Sequence, residues 1–492
     1  MDPPLPHLGL HLLESVLRLV QVEELAFLLD EGELAVQVVA PGVAGLCGRG
    51  DDAPVGPARR RERSPPMTDY GAIDFFRDET FVGDPYPYFE YLRAQCPVQR
   101  EPHHGVVMVT GYEEAVRIYN DHETFSSCTS VTGPFPGFPV PLRGDDVSEL
   151  IARHRDELPM SDQLSTLDPP AHPAHRALLM RLITPKRLKE NEAAVWHVAD
   201  RLLDAYLDQG EGDSVRDFAE PFTLLVIADL LGVPEEDRAE FRAGLQRPEA
   251  HEPGIGGTGE ETLKHHPLDF LYGRFTAYIE ERRRRPREDV LTGLATAVFP
   301  DGSTPEVADV VRVAANLFAA GQETTVRLLG WALRTLAEHP RLQGLLRTER
   351  QRIPAFIEES LRTESPVKGD FRLSRTATTV GGVELPAGTT VMLVNSAANR
   401  DPRQFGDPEV FDIERANTRR HLAFGRGVHS CPGPAGPGRG PGGDRAAPGP
   451  HDGHQDLRAG ARAGRRPALQ LRTDVHPAWT DRAASGVRHR RR

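Results

Sequence analysis

One cysteine carries the most specific chemistry in this chain of 492 residues. Phe424 to Gly433 reads F-G-R-G-V-H-S-C-P-G, with Cys431 in a glycine-rich loop and His429 two residues before it. Gly425, Gly427 and Gly433 let the backbone turn tightly and come close to something flat. A lone Cys held in such a loop can bind a metal as its thiolate. A zinc site does not fit, because no second Cys or His lies at ligand spacing nearby. One thiolate, with the remaining coordination supplied by a macrocycle, is the haem-thiolate arrangement. The plain alternative is a glycine-rich loop around a structural Cys.

Three further groups could do chemistry. His172 and Arg176 stand four residues apart behind Asp168-Pro169-Pro170 and share a helix face. Two cationic donors on one face suit a bound carboxylate, although such pairs also occur on ordinary surfaces. Ala320-Gly321-Gln322-Glu323-Thr324-Thr325 lies in the middle of a long helical pattern. A Gly there costs about 1 kcal/mol and the threonines are weak helix formers, so the cluster implies close approach of a ligand or a bend absorbed by packing. Glu359 and Arg362, at i and i+3, read on their own as a solvated ion pair.

The elements that must position these groups are mostly helical. Asp84-Pro85-Tyr86 opens an amphipathic helix. Gly105–Thr110 alternates as a strand, and a short helix follows at Glu113–Asn120. Phe125–Leu167 is long, Pro/Gly-rich and irregular, which fits a segment covering a substrate or a disordered insertion. Helical patterns continue at Asn191–Gln209, Phe218–Leu231 and Pro267–Arg284, with a Pro/Gly-rich, mobile stretch expected at Glu249–Thr262. Ser303-Thr304-Pro305-Glu306 is a helix start with a capping hydroxyl. No breaker follows before Pro340, so an apolar helix of about 34 residues, roughly 50 Å long, should cross the middle of the molecule. Ala355–Glu364 is a further helix. Strand signals at Ala377–Leu385 and Thr389–Asn395 flank the turn Pro386-Ala387-Gly388.

The sequence resembles the cytochrome P450 family from about Asp84 to Gly433. Five ordered elements carry the resemblance: D-P-P-x-H-x-x-x-R at Asp168–Arg176, A-G-x-E-T at Ala320–Thr324, E-x-x-R at Glu359–Arg362, Arg372 nine residues before Gly381-Gly382, and F-x-x-G-x-x-x-C-x-G at Phe424–Gly433. The resemblance implies a mainly α fold with a small β-rich part, a single triangular haem-binding domain. It implies Cys431 as axial thiolate to haem b, with Phe424, Gly425 and Gly433 shaping the ligand loop. His172, Arg176, Arg372 and His429 would hold the propionates, with Ala320 and Gly321 beside the haem. Glu323 and Thr324 would relay protons, and Glu359 and Arg362 would form a buried structural pair. Pro432 and Pro434 lack N–H groups that normally temper such a thiolate, so Gly433 matters more. The family often carries Arg where this chain has Val410, which leaves the third partner of the Glu359–Arg362 cluster unidentified.

The resemblance fails after Gly433. In the family a helix follows, packed behind the haem; here residues 434–443 hold three prolines and five glycines and cannot form it. Residues 434–492 contain twelve Arg but no Lys, Glu, Ile, Phe, Tyr or Met, and so cannot build a core. A frameshift near codons 433–436 is one explanation and a natural disordered tail the other. Reading the gene in its other two frames for an amphipathic helix decides between them. Residues 1–66 also look foreign, with a helical pattern at Leu8–Leu29 and a basic run at Arg59–Arg63; they are expected to be translated upstream sequence before a natural start at Met67, the alternative being a genuine N-terminal appendage. The expected organisation is an N-terminal extension to 66, a haem domain at 67–433 and a disordered tail.

Composition narrows the function. The chain has 59 Lys+Arg against 72 Asp+Glu, a formal net charge of -13, which argues against a nucleic-acid binder. Four cysteines are no disulfide framework. Charges interrupt the apolar stretch near the N-terminus, and no basic region precedes it, so neither a membrane span nor a secretory signal is expected. The expectation is a cytoplasmic, monomeric monooxygenase. It would insert one oxygen atom from O2 into an apolar substrate, with electrons from NAD(P)H through a ferredoxin reductase and ferredoxin. The rivals are a haem-thiolate protein that does not activate O2, and a truncated relic with impaired haem binding.

Overall fold

A computed structural model describes residues 69–78, 80–209, 211–245 and 268–433, with three further backbone strands at Ala26–Asp30, Glu33–Gln37 and Gln470–Arg472. Those three pair with one another and with Glu211–Asp213. The helix expected at Leu8–Leu29 is therefore corrected at its end, where Ala26–Asp30 is a strand, and its earlier part lies outside the described residues. The mobile stretch expected at Glu249–Thr262 also lies outside them.

Helices dominate. We use α1 (Tyr86–Gln95), α2 (Tyr112–Asn120), α3 (Ala171–Met180), α4 (Pro185–Gln209), α5 (Glu220–Leu231), α6 (Asp269–Arg284), α7 (Val307–Glu338) and α8 (Ile353–Thr363). Helix α7 is the long central one, 32 residues, about 48 Å at 1.5 Å per residue. It starts later than its sequence signal. Ser303 is bound to Asp301 in a turn (2.9 and 2.6 Å), and Glu306 caps the helix through a reciprocal box with Asp309. His339 ends it one residue before Pro340.

Helix α5 is apolar on every side and buried along almost its whole length. It packs on α7, as do α6 and α3. An all-round apolar helix can be stable only when enclosed by other elements, and α7, α4 and the segments Ser214–Ala219, Arg238–Leu245 and Val290–Ala295 pack around α5. Gly321 sits on the α5 side of α7: a Cβ there would come 3.0 Å from Ile227 Cδ1. The mid-helix glycine therefore gives clearance between two helices. Aromatic side chains of Phe241, Phe275 and Phe318 interlock in the core beside it.

The sheet is small. Strands β1 (Val98–Arg100), β2 (Val107–Val109), β3 (Phe125–Ser126), β4 (Asp370–Ser374) and β7 (Thr390–Leu393) form five strands in the order β1-β2-β7-β4-β3. Strands β5 (Thr378–Val380) and β6 (Val383–Leu385) make a separate hairpin across Gly381-Gly382. β7 runs parallel to β2 and antiparallel to β4, which pairs Val391 with Arg372. Phe125–Leu167 is more ordered than its composition suggests. It contains β3, a helix at Ser148–His154 and two short helical turns. Polar anchors hold it: the Asp168 carboxylate accepts from Ser126 Oγ (2.5 Å), Ser127 N (2.8 Å) and Arg375 (2.7 Å).

Candidate functional site

The Cys431 loop is closed by its own backbone. Cys431 N donates to Phe424 O (2.9 Å), and Ser430 N to Gly427 O (3.1 Å). Gly425 and Gly427 have φ of +58° and +68°, the left-handed region that costs other residues about 1 kcal/mol or more. Gly427 is doubly constrained, because a Cβ there would strike the Tyr119 carbonyl oxygen. Replacing Gly427 by alanine should therefore displace the loop from α2 and cost about 2–3 kcal/mol. A urea titration of the haem-free protein measures this, and a midpoint equal to that of the unsubstituted chain would refute the close approach. Cys431 is exposed. Phe424 and Ala423 pack against the same core cluster as Val326 and Leu328 of α7.

Three separate elements bring the cationic groups together. Helix α3 carries His172 and Arg176 on one face, as their spacing predicts. The His172 ring lies 4.0 Å from that of His429, and Arg176 Nη2 donates to Ser430 O (2.6 Å). Strand β4 supplies Arg372, 5% exposed, with one guanidinium nitrogen on the Phe371 carbonyl (2.6 Å). Burial, reinforced by His172, Arg372 and Arg176, pushes the His429 imidazole down to about 2. Burial and Arg176 push His172 down to about 4. His122, which no motif announced, adds to both effects. Burial also lowers Arg176, offset by the Cys431 sulfur.

His429 Nε2 is buried with no hydrogen-bond partner among the described residues. Leaving such a group unpaired costs about 1–3 kcal/mol. Two imidazoles and two guanidinium groups come together here, and the groups acting most strongly on His429, His172, Arg372 and Arg176, all disfavour its cation. Asp168 offsets the repulsion only in part at His172, and no anion is among the groups that act most on His429. A carboxylate among them would pair the orphaned nitrogen and reverse the repulsion that keeps the histidines neutral. A macrocycle with carboxylate arms and a thiolate-seeking iron answers both halves of the site. Among the described residues, no cluster of three or more His, Cys, Asp or Glu could hold a metal by itself.

The acid–alcohol pair lies on α7. Thr324 Oγ1 donates to Ala320 O (2.7 Å), which leaves its lone pairs able to accept. Glu323 is paired with Arg327 (2.5 Å) in the next turn, and Arg327 also reaches Pro366 O (3.0 Å). A half-exposed i,i+4 pair is worth about 0.5 kcal/mol, too little to stop the carboxylate from turning.

Glu359 and Arg362 are not a surface pair. Both are fully buried and joined by two parallel bonds of 2.7 and 2.8 Å. Arg362 also donates to the carbonyls of Asn399, Pro408 and Val410 (3.0, 2.8 and 3.2 Å). Glu359 accepts from Asp412 N, Thr418 Oγ1 and Arg415 Nε (2.9, 3.2 and 3.2 Å). Arg415 is thus the third charged member that the sequence left unidentified. It lies five residues beyond Val410, whose carbonyl it shares with Arg362. No spacing rule pointed to it; only the path of the chain through residues 399–418 does.

Comparison with known proteins gives the same outline. A model of the family described as cytochrome P450 matches residues 267–435. Cytochrome P450 144 of Mycobacterium tuberculosis is 34% identical over 367 residues, covering 74% of this chain and 81% of that protein. The cytochrome P450 monooxygenase PikC of Streptomyces venezuelae is 32% identical, covering 75% of this chain and 83% of that one. Among solved structures, substrate-free Mycobacterium marinum cytochrome P450 CYP150A6 is 54% identical with a TM-score of 0.68, covering 74% of this chain and 85% of that one.

Proposed function

Because the chain belongs to the cytochrome P450 family, whose members are haem-iron monooxygenases, we propose that it binds haem b through Cys431 and oxidises an apolar organic substrate. The observation that carries this reading is the meeting of His172, Arg176, Arg372 and His429, one with an orphaned buried nitrogen, beside the Cys431 loop. Bound there, the haem iron supplies activation of dioxygen, chemistry that no side chain offers. The Cys431 thiolate would hold the iron from the loop, and the Gly433 N–H would temper its charge. The two histidines and two arginines hold the propionates and fix the macrocycle's orientation. Glu323 would take protons from solvent, and Thr324 would pass them on toward the haem site. Glu359, Arg362 and Arg415 keep the segment before the loop in place.

The finer assignments are part of the same proposal. Electrons come from NAD(P)H through a ferredoxin reductase and a ferredoxin, and the protein works as a cytoplasmic monomer. Among the described residues, no helix is long and apolar enough to cross a membrane. The haem domain spans 67–433. Residues 434–492, rich in Arg, Gly and Pro, favour a second reading, a frameshifted product with weakened haem retention.

The reduced, carbon-monoxide-bound absorption spectrum of the 492-residue chain tests the proposal. A red-shifted Soret band is expected; an unshifted band or no haem would favour the second reading. In the active form, Thr324→Ala should lower product formation on the order of a hundredfold while NAD(P)H consumption continues. Undiminished product per NAD(P)H would remove Thr324 from proton delivery.

A further inference from the structure

Tyr119, at the end of α2, touches both elements that would hold the haem. Its ring lies under the Arg372 guanidinium, 5.4 Å from the centroid. Its hydroxyl donates to Asp370 Oδ2 (2.5 Å) and lies 2.7 Å from Asn395 Oδ1. Its carbonyl oxygen fills the space that a Cβ on Gly427 would need, and its ring stands 3.5 Å from where a Cβ on Gly425 would be. The residue is 4% exposed. Burial and the Asp370 carboxylate push its phenol well above the ordinary value, so it remains a donor.

Asp370 and Arg372 stand two apart on β4 and so share a face of the sheet. Left to itself, the Asp370 carboxylate would compete for the guanidinium that a porphyrin carboxylate needs. The Tyr119 hydroxyl occupies one oxygen of that competitor, and the ring face supports the cation from below.

We propose that Tyr119 is the positioning residue that keeps Arg372 available for a porphyrin carboxylate and sets its distance from the Cys431 loop. The proposal rests on the haem reading above and adds a residue that none of the five motifs contains.

The test uses the full chain freed of haem and two metal-free probes, protoporphyrin IX and its dimethyl ester. For Tyr119→Phe, which keeps the ring but loses the hydroxyl, the dicarboxylate should bind about tenfold more weakly. The ester, which has no charge for Arg372, should change by less than about twofold. Adding Asp370→Asn to Tyr119→Phe removes the competitor and should restore binding of the dicarboxylate. Equal losses for acid and ester, or no rescue by Asp370→Asn, would reduce Tyr119 to a packing residue and overturn the proposal. Failure of the unsubstituted chain to bind either porphyrin would overturn the haem reading, and this proposal with it.

Discussion

Serine at position 431 is expected to abolish the red-shifted Soret band and reduce monooxygenase turnover to background, while leaving the haem-free protein folded. The first part follows from the ligand. A thiol loses its proton near neutral pH when a metal binds it, and the sulfur then donates charge to iron. A serine hydroxyl keeps its proton and is a weak, hard ligand. The second part follows from position. Cys431 is exposed, outside the core clusters, and its backbone bond to Phe424 does not involve the sulfur. Exposed substitutions of this kind stay within about 0.5 kcal/mol. Spectra of the ferrous carbon-monoxide form and urea midpoints of the haem-free form separate the two effects. A red-shifted band surviving in Cys431→Ser would move the ligand elsewhere.

Arg362→Lys should be among the most damaging conservative substitutions in the chain. Its guanidinium makes two bonds to Glu359 and three more to the carbonyls of 399, 408 and 410, with both side chains fully buried. A lysine offers one point of charge and three donors on a flexible stem, so several buried acceptors lose their partners. Breaking one partner of a buried pair costs about 3–5 kcal/mol, against a total stability of about 5–15 kcal/mol. The loss should appear as a large drop in the denaturation midpoint and in soluble yield. Arg334→Ala, at an exposed i,i+4 pair with Glu338, should cost less than about 0.5 kcal/mol and serves as the control. If Arg362→Lys cost no more than that control, the network would not be what holds residues 399–418 in place.

The two networks differ in how visible they are in the sequence. Glu359 and Arg362 are three residues apart in one helix, so the pair is local, but whether it is surface or core is not. Burial is decided by the strand of chain from Asn399 to Thr418 folding over it, and Arg415 joins only then. The start of α7 shows the same limit at smaller scale. Ser303 and Thr304 have capping side chains, yet the turn closed by Asp301 takes up Ser303 first, and Glu306 becomes the cap. Composition also misleads between Phe125 and Leu167, because Asp168, itself paired with Arg375, binds its beginning from outside.

The candidate site residues lie in short local runs of the sequence. The Cys431 loop and the His172–Arg176 helix face suggest a chemistry by residue type and spacing, whereas Arg372 and the Glu323–Thr324 pair gain their expected roles only through resemblance to the cytochrome P450 family. Local rules act over three or four residues of helix, or two of strand, and reach no further. That α3, β4 and the Cys431 loop should meet, with His172 against His429 across more than 250 residues of chain, was decided only by the tertiary structure. So was Tyr119, an ordinary buried aromatic in the sequence of α2. It gains its place at the site only because β4 and the glycine loop close on it from opposite sides.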